Sequence, residues 1–343
     1  MNLLVTTQVV NKNDTNLGFF HEWLKRLAAK VDKLYVVCLF KGEYDLPQNV
    51  EVISLGKEQG KSSTFIYALR FYSVLWKLRS KYDGVFIHMN PEYMVLAGWL
   101  WRLTGKKVLL WYTHKAVNVK LRIATCFATK IFTASKESFR LPSNKIEVVG
   151  HGIDIEHFKP GQLVPLQNHF FAVGRLSRSK DWGTVAKVLQ VLNESNIVSN
   201  PLLDIAGAPV TAADFEYIKE LHQTFGNLAF KPFAYDEMPR QYQLHSLLIH
   251  TSHTGSMDKV VLEALATGRI VVTSSEAYRF LAEGALKGIV FYFPPGDYQE
   301  LANTIEKIWK NGILNGIPYE RAVAYVREHH NLDGVIRRII AFF

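Results

Sequence analysis

The sequence predicts an α/β protein of two domains, each built on a doubly wound parallel sheet of Rossmann-like topology. Three observations predict it. The chain has 343 residues, more than one compact core usually holds. Short apolar runs alternate with helical patterns through both halves, which is typical of parallel strands covered by helices on both faces. Proline and glycine in residues 157–165 interrupt this alternation and indicate a linker.

The first half opens with a strand at residues 3–7 and a helix over 14–29 that Asp14 is expected to cap. Phe19, Trp23 and Leu27 recur at i, i+4 and i+8, so this helix has one face for a core. The remaining strands are predicted at 34–40, 50–55, 84–88, 107–113, 131–134 and 146–149, and the helices at 63–80, 92–104 and 117–128.

The same alternation restarts after the linker. Strands are predicted near 169–174, 202–207, 227–230, 247–251, 270–273 and 289–292, and the last two helices at 319–329 and 332–343. We divide the chain into an N-terminal domain over 1–160 and a C-terminal domain over 161–325. A final helical segment, 326–343, is expected to pack back toward the N-terminal domain.

Composition excludes several classes of protein. A hydrophobic share of 48% with 21% charged residues excludes a disordered chain, and no apolar run reaches the ~18–20 residues of a membrane span. The first residues lack the basic segment of a secretory signal, so a cytoplasmic protein is expected. Cys38 and Cys126 lie in apolar stretches, which favours two buried thiols over a disulfide or a metal site.

The charge balance indicates an anionic partner. Forty Lys and Arg against thirty-one Asp and Glu give a formal net charge of +9. Nucleic acid, a membrane surface and a phosphate-bearing substrate all fit this sign. The sequence has no long block of basic residues and no zinc-finger spacing, so we expect no nucleic-acid partner.

One candidate site follows the predicted strand that ends near residue 174. Gly174 lets the backbone turn there, and Arg175 and Lys180 then extend two cations from a single loop. A forked guanidinium with an ammonium group suits a diphosphate. The alternative is a solvated basic loop.

A second candidate site spans residues 251–268. A strand ends near Thr251, a Gly/Ser turn follows, and a helix opens around Asp258, where free backbone amides make an anion site. Glu263 lies further along this helix among apolar residues, so its carboxylate needs a ligand hydroxyl or a structural partner such as an arginine.

These two segments resemble the donor half of family 4 glycosyltransferases, which are retaining nucleotide-sugar enzymes of GT-B fold. The G-R-L…K pattern is present at 174–180 and the L-E-A-L-A-T-G pattern at 262–268. The G-H-G-I-D…F stretch at 150–158 and the P-P-G-D stretch at 294–297 resemble two further motifs of that family. Four motifs in the right order extend the resemblance over nearly the whole chain.

The resemblance implies transfer of a sugar from a nucleotide-diphosphate sugar to the hydroxyl of a glycan or lipid-linked acceptor, with no cofactor and no obligatory metal. The domain over 1–160 would bind the acceptor and that over 161–325 the donor. Arg175 and Lys180 would clamp the diphosphate, and Glu263 would hold the ribose hydroxyls. The remaining donor-binding residues of this domain would be Gly174, Gly255, Ser256, Met257, Asp258, Lys259 and Val260.

One position departs from the family pattern. Gly255 stands where the family usually has a glutamate, eight residues before Glu263. The sequence Thr-Gly-Ser-Met-Asp-Lys replaces the usual Glu-Gly-Phe-Gly turn and resembles a recurrent variant within the family. Either Asp258 substitutes for the missing carboxylate or the backbone alone holds the sugar.

Two residues of the N-terminal domain complete the implied site. Gly18 corresponds to the family's glycine loop near the transferred phosphate, and His114 to a histidine that faces the donor sugar. A structural role is the alternative for His114. His88, which also ends a predicted strand, is expected to be structural.

The predicted helix over 63–80 is apolar nearly all round, a pattern typical of a buried helix. The alternative is a face that enters a bilayer interface while Arg70, Lys77, Arg79 and Lys81 meet lipid phosphates. An anionic membrane on its inner, cytoplasmic side is therefore a candidate partner.

Two other functions fit the same architecture. A sugar-nucleotide epimerase of GT-B fold would need carboxylates for a water-mediated elimination. A non-catalytic, membrane-associated scaffold would explain the absence of the usual glutamate at Gly255 as lost chemistry.

Overall fold

A computed structural model describes residues 1–60, 62–195, 198–226, 228–315 and 319–343. The chain forms two compact units. Unit 1 comprises Met1–Gly152 and Leu332–Phe343, and unit 2 comprises Ile153–Asn331.

Unit 1 contains a parallel sheet of seven strands in the order β3-β2-β1-β4-β5-β6-β7. The strands are β1 (Asn2–Val10), β2 (Lys33–Lys41), β3 (Val50–Ser54), β4 (Gly84–His88), β5 (Lys107–Trp111), β6 (Lys130–Thr133) and β7 (Ile146–Val148). Its helices are α1 (Phe20–Ala28), α2 (Thr64–Leu78), α3 (Pro91–Leu103), α4 (Val119–Phe127) and the last helix of the chain, α12 (Leu332–Phe342).

Unit 2 contains a parallel sheet of six strands in the order β10-β9-β8-β11-β12-β13. The strands are β8 (Leu166–Val173), β9 (Leu202–Ala206), β10 (Phe230–Lys231), β11 (His245–His250), β12 (Ile270–Thr273) and β13 (Val290–Tyr292). Its helices are α5 (Trp182–Ser195), α6 (Ala212–Phe225), α7 (Met238–Leu244), α8 (Lys259–Ala266), α9 (Arg279–Glu283), α10 (Tyr298–Lys310) and α11 (Tyr319–His329).

Both sheets have the doubly wound strand order that the sequence predicts. Each reverses its winding direction once, between β1 and β4 in unit 1 and between β8 and β11 in unit 2. Ligands of such sheets bind beyond the carboxyl ends of the strands at this reversal. The segments that follow β8 and β11 are therefore the first place to look for a site in unit 2. Of the strand predicted near 227–230, residue 227 lies outside the described residues.

Each sheet has an apolar core on both faces. In unit 1, Phe71 and Trp101 belong to the core under α2, α3 and α4, whereas Trp23 and Ile336 belong to the core under α1 and α12. In unit 2, one core includes residues of α8 and α11, and the other includes residues of α5, α6 and α10. Sheets buried on both faces explain why their strands are apolar runs instead of alternating patterns.

The units divide the chain at a different residue from the predicted linker. Ile153 and Phe158 are each 1% exposed and pack in the core of unit 2, so that unit begins at Ile153 and not at 161. At the other end, α12 belongs to unit 1, where Asp333 pairs with Arg26 of α1 at 2.8 Å. The preceding residues 326–331 belong to unit 2.

Two local predictions were wrong. The first helix begins at Phe20 and not at Asp14, because the Asp14 carboxylate accepts the amides of Asn16 and Leu17 and closes a turn there. Cys126 is exposed on α4, whereas Cys38 is buried in β2 as expected.

The prediction that α2 is buried all round was also wrong. Only one stripe of the helix, represented by Phe71, Leu75 and Leu78, is buried against unit 1. The opposite stripe is open to solvent, with Phe65 at 70% and Trp76 at 69% exposure. Within the described residues, no helix has both the length and the apolar character needed to cross a membrane.

The two faces of α2 make a matched test of this orientation. Phe71→Ala should lower the free energy of unfolding by about 3–5 kcal/mol, because it empties a fully buried site. Phe65→Ala, on the exposed stripe of the same helix, should change it by less than about 0.5 kcal/mol. Urea unfolding followed by circular dichroism measures both. Similar losses for the two variants would contradict the orientation of α2.

Candidate functional site

The two predicted cations in the loop after β8 pair with different carboxylates. Arg175 donates through Nε and Nη2 to the Asp214 carboxylate, at 3.1 and 3.0 Å, while its side chain remains 42% exposed. Burial raises the pKa of Asp214, but the amides of Thr211 and Val210 together with Arg175 outweigh it and hold that pKa below its usual value. Asp214 therefore orients the guanidinium as a permanent carboxylate.

Lys180 belongs to a different ion pair, with Asp258 at the start of α8. The same Asp258 oxygen accepts a hydrogen bond from His250 Nε2 at 2.9 Å, and His250 Nδ1 lies 2.8 Å from the Thr273 hydroxyl. Since a carboxylate only accepts, Nε2 carries the proton and the neutral ring accepts from Thr273. Lys180 and Asp258 are 15% and 23% exposed, so the pair is largely shielded.

The electrostatics of this trio fix its charges. Burial raises the pKa of the Asp258 carboxyl, but the Lys180 charge and the His250 hydrogen bond outweigh burial and hold that pKa far below its usual range. Burial lowers the pKa of His250, although Asp258 opposes this. The trio at neutral pH is an ammonium, a carboxylate and a neutral imidazole.

Further bonds join the loop after β8 to the loop after β11. The Thr251 hydroxyl donates to the Lys180 carbonyl, and the His253 amide donates to the Ser179 carbonyl at 3.0 Å. His253 Nε2 also lies 3.2 Å from the carboxylate of Asp181, the residue before α5. The two sequence motifs are thus one connected structure at the point where the winding of the sheet reverses.

The conformation of Gly255 favours glycine over the glutamate that the family usually has there. Gly255 has φ +62°, a left-handed conformation that costs a residue with a Cβ about 1 kcal/mol or more. A Cβ there would meet only the Glu276 Cβ, at 4.0 Å, so space is not the obstacle. Next to it, the Ser256 carbonyl accepts from the Ser275 hydroxyl at 2.8 Å, which fixes the turn.

The amino end of α8 follows directly on the turn at 255–258. Asp258 occupies the N-cap position, but its side chain makes no capping hydrogen bond because it faces Lys180 and His250. The start of α8 carries the partial positive charge of a helix amino end, which suits an anion. Met257, just before the helix, is buried at 4% exposure and anchors the turn.

Glu263 is a buried carboxylate with a hydroxyl partner and not an arginine partner. Tyr242 of α7 donates to Glu263 Oε2 at 3.0 Å, and Lys259 lies one turn earlier on α8. Burial raises the pKa of Glu263, and Lys259, Tyr242 and His157 oppose this. Burial lowers the pKa of Lys259, although the charges of Glu263 and Asp154 oppose this.

The third motif, at residues 150–158, also lies beside α8 in space. Asp154 is buried, and its Oδ1 accepts the amides of Glu156 and His157 at 3.1 and 3.3 Å. Phe158 packs in the same core as the apolar residues of α8. In the fourth motif, Asp297 caps α10 by accepting the Glu300 amide at 2.9 Å, a structural role.

Among the described residues, one group of side chains is close enough to hold a metal ion. His169, Asp204 and His245 have ligand atoms within 4.8 Å of one another. His245 is the first residue of β11, so this group lies at the amino end of the strand whose carboxyl end leads into residues 251–258. This group of residues does not include any residue of the Lys180 loop. That the transfer reaction needs no obligatory metal stays a prediction.

The two predicted residues of unit 1 lie in loops. Gly18 is in the turn before α1, where a Cβ would stand 2.5 Å from the Asp14 carbonyl oxygen, so glycine has a packing reason there. His114 lies beyond the end of β5 and is exposed, with its Nδ1 accepting the Ala116 amide at 3.0 Å. Neither observation tests a role in donor binding.

His88 has the structural role that the sequence suggests. It is 1% exposed, its ring stacks on Phe20 with 3.8 Å between centroids, and its Nδ1 lies 3.2 Å from the Thr7 hydroxyl.

Three residues of the site could not be identified from the motifs. His250 is a polar residue at the end of an apolar strand, a pattern that could have singled it out. Asp214 follows Thr211 in a capping box, which predicts a helix start but not a partner for Arg175. Tyr242 carries no signal in the sequence that relates it to Glu263.

The match to a known protein family lies within unit 2. Residues 167–311 match the family Glycosyl transferases group 1. The match includes the Arg175 loop, the turn at 255–258 and all of α8. No curated protein matches the sequence.

Solved structures of glycosyltransferases share the architecture of the whole chain. Anabaena HepE in complex with UDP and glucose has a TM-score of 0.77 at 19% identity, covering 100% of this chain and 99% of that one. Sucrose-phosphate synthase from Thermosynechococcus elongatus has 0.74 at 14% identity, covering 99% and 98%. WaaG, involved in lipopolysaccharide biosynthesis, has 0.71 at 16% identity, covering 99% of both chains. The GT-B fold prediction is therefore confirmed.

The neutral, buried His250 predicts a pH dependence of stability. Below about pH 6.5 the unfolded chain protonates this histidine while the folded protein resists protonation, so stability falls as pH falls. His250→Gln should make the decline between pH 7.5 and 5.5 shallower, by up to about 1.4 kcal/mol per pH unit. Urea unfolding at several pH values measures this slope. His253→Gln, in the adjacent exposed turn, is the control, and equal slopes for wild type and His250→Gln would contradict the assignment.

Proposed function

We propose that the protein is a retaining glycosyltransferase of the family 4 type, which transfers a sugar from a nucleotide-diphosphate sugar to an acceptor hydroxyl in cell-envelope or glycoconjugate biosynthesis. One observation carries the proposal. Arg175, Lys180 and the amino end of α8 belong to the segments that follow β8 and β11, at the winding reversal of a unit whose residues 167–311 match Glycosyl transferases group 1. This combination of a fork, an ammonium and helix amides suits a diphosphate.

The charged groups have distinct roles in this proposal. Arg175 and Lys180 bind the diphosphate and stabilise the negative charge that grows on it as it leaves. Asp258 positions Lys180 through its Oδ2, which also accepts from His250, and this arrangement favours backbone contacts to the sugar over the Asp258 carboxylate. Gly174, Gly255 and Ser256 contribute backbone to the donor pocket, and Glu263 accepts from the ribose hydroxyls.

The proposed reaction uses no protein nucleophile. The acceptor oxygen forms a bond to the anomeric carbon on the face from which the nucleotide departs, while the bond from that carbon to the diphosphate oxygen breaks. The acceptor proton passes to the leaving phosphate, so the product is a glycoside and a nucleoside diphosphate. Neither step requires a metal, and activity should survive treatment with EDTA.

A pocket in unit 1 is the proposed acceptor site. It has a volume of about 440 Å³ and lies at the carboxyl ends of β1 to β4, where Gln8, Leu39, Leu55 and Asn90 line it. Its walls combine apolar residues of α2 and α3 with polar side chains, a mixture suited to a ligand with both sugar and apolar parts. The residues of α2 and α3 that line it are Thr64, Tyr67, Ala68, Phe71, Glu92, Tyr93 and Leu96.

Donor binding is the direct test. Because HepE was solved with UDP, UDP-glucose is the first probe, followed by GDP- and ADP-sugars. A true donor at 100 times its Kd should stabilise the protein by about 2.7 kcal/mol in a thermal-shift assay. Arg175→Ala and Lys180→Met should abolish the shift and the release of nucleotide in the presence of acceptor. Arg178→Ala is the matched control, because Arg178 pairs with Glu220 and is 66% exposed.

Each outcome of that screen decides something. If no nucleotide-sugar stabilises the protein, the proposed function is wrong. Binding without nucleotide release, with any acceptor offered, would favour the scaffold, and a change in sugar stereochemistry without transfer would favour the epimerase.

Two variants should separate binding from turnover. Glu263→Gln should weaken nucleotide binding about tenfold or more, because a hydrogen bond to a charged group is worth about 1.5–3 kcal/mol. His114→Ala should lower kcat while nucleotide affinity stays unchanged, since we assign it to the sugar and not to the nucleotide. Isothermal titration with the nucleotide and steady-state kinetics measure the two effects. Tyr242→Phe controls for loss of the internal partner of Glu263, and an unchanged kcat in His114→Ala would return that histidine to a structural role.

A further inference from the structure

We infer that unit 1 docks on the surface of an anionic bilayer through the outer faces of α2 and α3. We call this surface the α2–α3 face and define it by its exposed apolar residues. They are Phe65, Ile66, Leu69, Tyr72 and Trp76 of α2, and Trp99 and Leu103 of α3.

The apolar residues form a continuous face. On α2, Phe65, Leu69 and Trp76 follow helical spacing along one side, over roughly 16 Å of helix. The Leu96 carbonyl of α3 accepts hydrogen bonds from both the Tyr72 hydroxyl, at 2.6 Å, and the Trp99 indole, at 3.0 Å. This shared acceptor holds the aromatic side chains of the two helices together.

These side chains are exposed to an unusual degree. Leu103 is 78% exposed, and Phe65 and Trp76 are about as exposed as that. Large apolar groups clustered on a surface mark an interaction site, whereas isolated ones need no explanation. Within the described part of unit 1, α2 packs in the core through its buried stripe. The exposed stripe of the same helix is therefore not needed for folding.

The charge of the chain is concentrated in the same region. Residues 64–127, from the start of α2 to the end of α4, contain ten Lys and Arg and two Asp and Glu, so they carry +8 of the chain's formal +9. One of the two acids, Glu92, is paired with Lys120 at 2.9 Å. The sequence of α2 has no acidic residue at all.

The candidate donor site does not account for this excess. Its three loop cations are matched by carboxylates, Arg175 by Asp214, Arg178 by Glu220 and Lys180 by Asp258. Outside residues 64–127 the chain has thirty basic and twenty-nine acidic residues. The net positive charge therefore lies in the segment of the chain that contains the two helices of the apolar face and the residues that follow each of them.

The arrangement of charge around the face fits a bilayer. Lys77, Arg79 and Lys81 are exposed at the carboxyl end of α2, and the Arg79 guanidinium lies 4.4 Å above the Trp76 ring. Aromatic and aliphatic groups that enter the interface, with basic groups at the level of the phosphates, are the features of an interfacial helix. Nucleic acid fits less well, because Leu69 and Leu103 offer neither stacking nor hydrogen bonds to bases.

Vesicle flotation tests the inference on the full-length protein. We expect binding to vesicles of phosphatidylcholine with 30% phosphatidylglycerol, weaker binding to phosphatidylcholine alone, and a further loss in 0.5 M salt. Two triple variants, one apolar and one basic, should each weaken binding tenfold or more. They are Phe65→Ser with Trp76→Ser and Leu103→Ser, and Lys77→Gln with Arg79→Gln and Lys81→Gln.

The matched control variants carry the same kinds of substitution on the surface of unit 2. They are Val210→Ser with Phe215→Ser and Phe280→Ser, all exposed apolar residues, and Lys159→Gln with Lys219→Gln and Lys310→Gln, which removes the same charge. Both controls should bind vesicles like wild type. Circular dichroism confirms that every variant is folded.

Several outcomes would overturn the inference. They are failure to bind anionic vesicles, equal loss in the control variants, and binding unaffected by the apolar variant. Light scattering that shows an apolar-dependent dimer without lipid would assign the face to a second copy of the chain. Quenching of tryptophan fluorescence by brominated lipid, lost when Trp76→Phe is combined with Trp99→Phe, would support insertion. Because none of these readouts uses a nucleotide-sugar, they stand or fall independently of the proposed transfer reaction.

Discussion

The candidate site depends on one shielded carboxylate. Asp258 receives both Lys180, from the loop after β8, and His250, from the end of β11. Because its side chain faces these two groups, it makes no capping hydrogen bond at the amino end of α8. A single ion pair thus connects two motifs that lie about seventy-eight positions apart in the chain.

This arrangement follows from the winding of the sheet. The strand order of unit 2 puts β8 beside β11, so the loops at their carboxyl ends must meet. Neither loop alone is a site: the first supplies cations and the second supplies a carboxylate and helix amides. The bonds between the loops, such as that from the His253 amide to the Ser179 carbonyl, then fix their relative position.

The sequence predicted most of the fold because parallel strands buried on both faces are distinct apolar runs. Strands such as β4 and β12 were predicted at their observed bounds. The position of the motif residues of unit 2 was likewise predicted, since Arg175 and Lys180 follow the strand β8 as expected, and their role in donor binding stays a prediction.

The sequence could not predict which side chains pair with each other or which face of a helix is buried. The partner of Arg175 lies thirty-nine residues away, and only the packing of α6 brings Asp214 to it. The sequence of α2 is apolar on nearly every side, a pattern that is typical of a helix buried all round. Such a pattern cannot show which side of the helix packs on the sheet and which side is exposed. The left-handed conformation of Gly255 disfavours a glutamate at that position, a constraint that the sequence alone does not show.

The pairing of the loop cations has a consequence for the proposed reaction. A diphosphate would enter a site whose ammonium and guanidinium groups already have carboxylate partners. Such partners hold the cations in place before the donor arrives, so less conformational entropy is lost on binding. They also weaken the net attraction for the nucleoside diphosphate that remains after transfer, because each cation can return to its own carboxylate. A site of this kind favours the departure of the product over the tightest possible binding, which a transferase that turns over repeatedly requires.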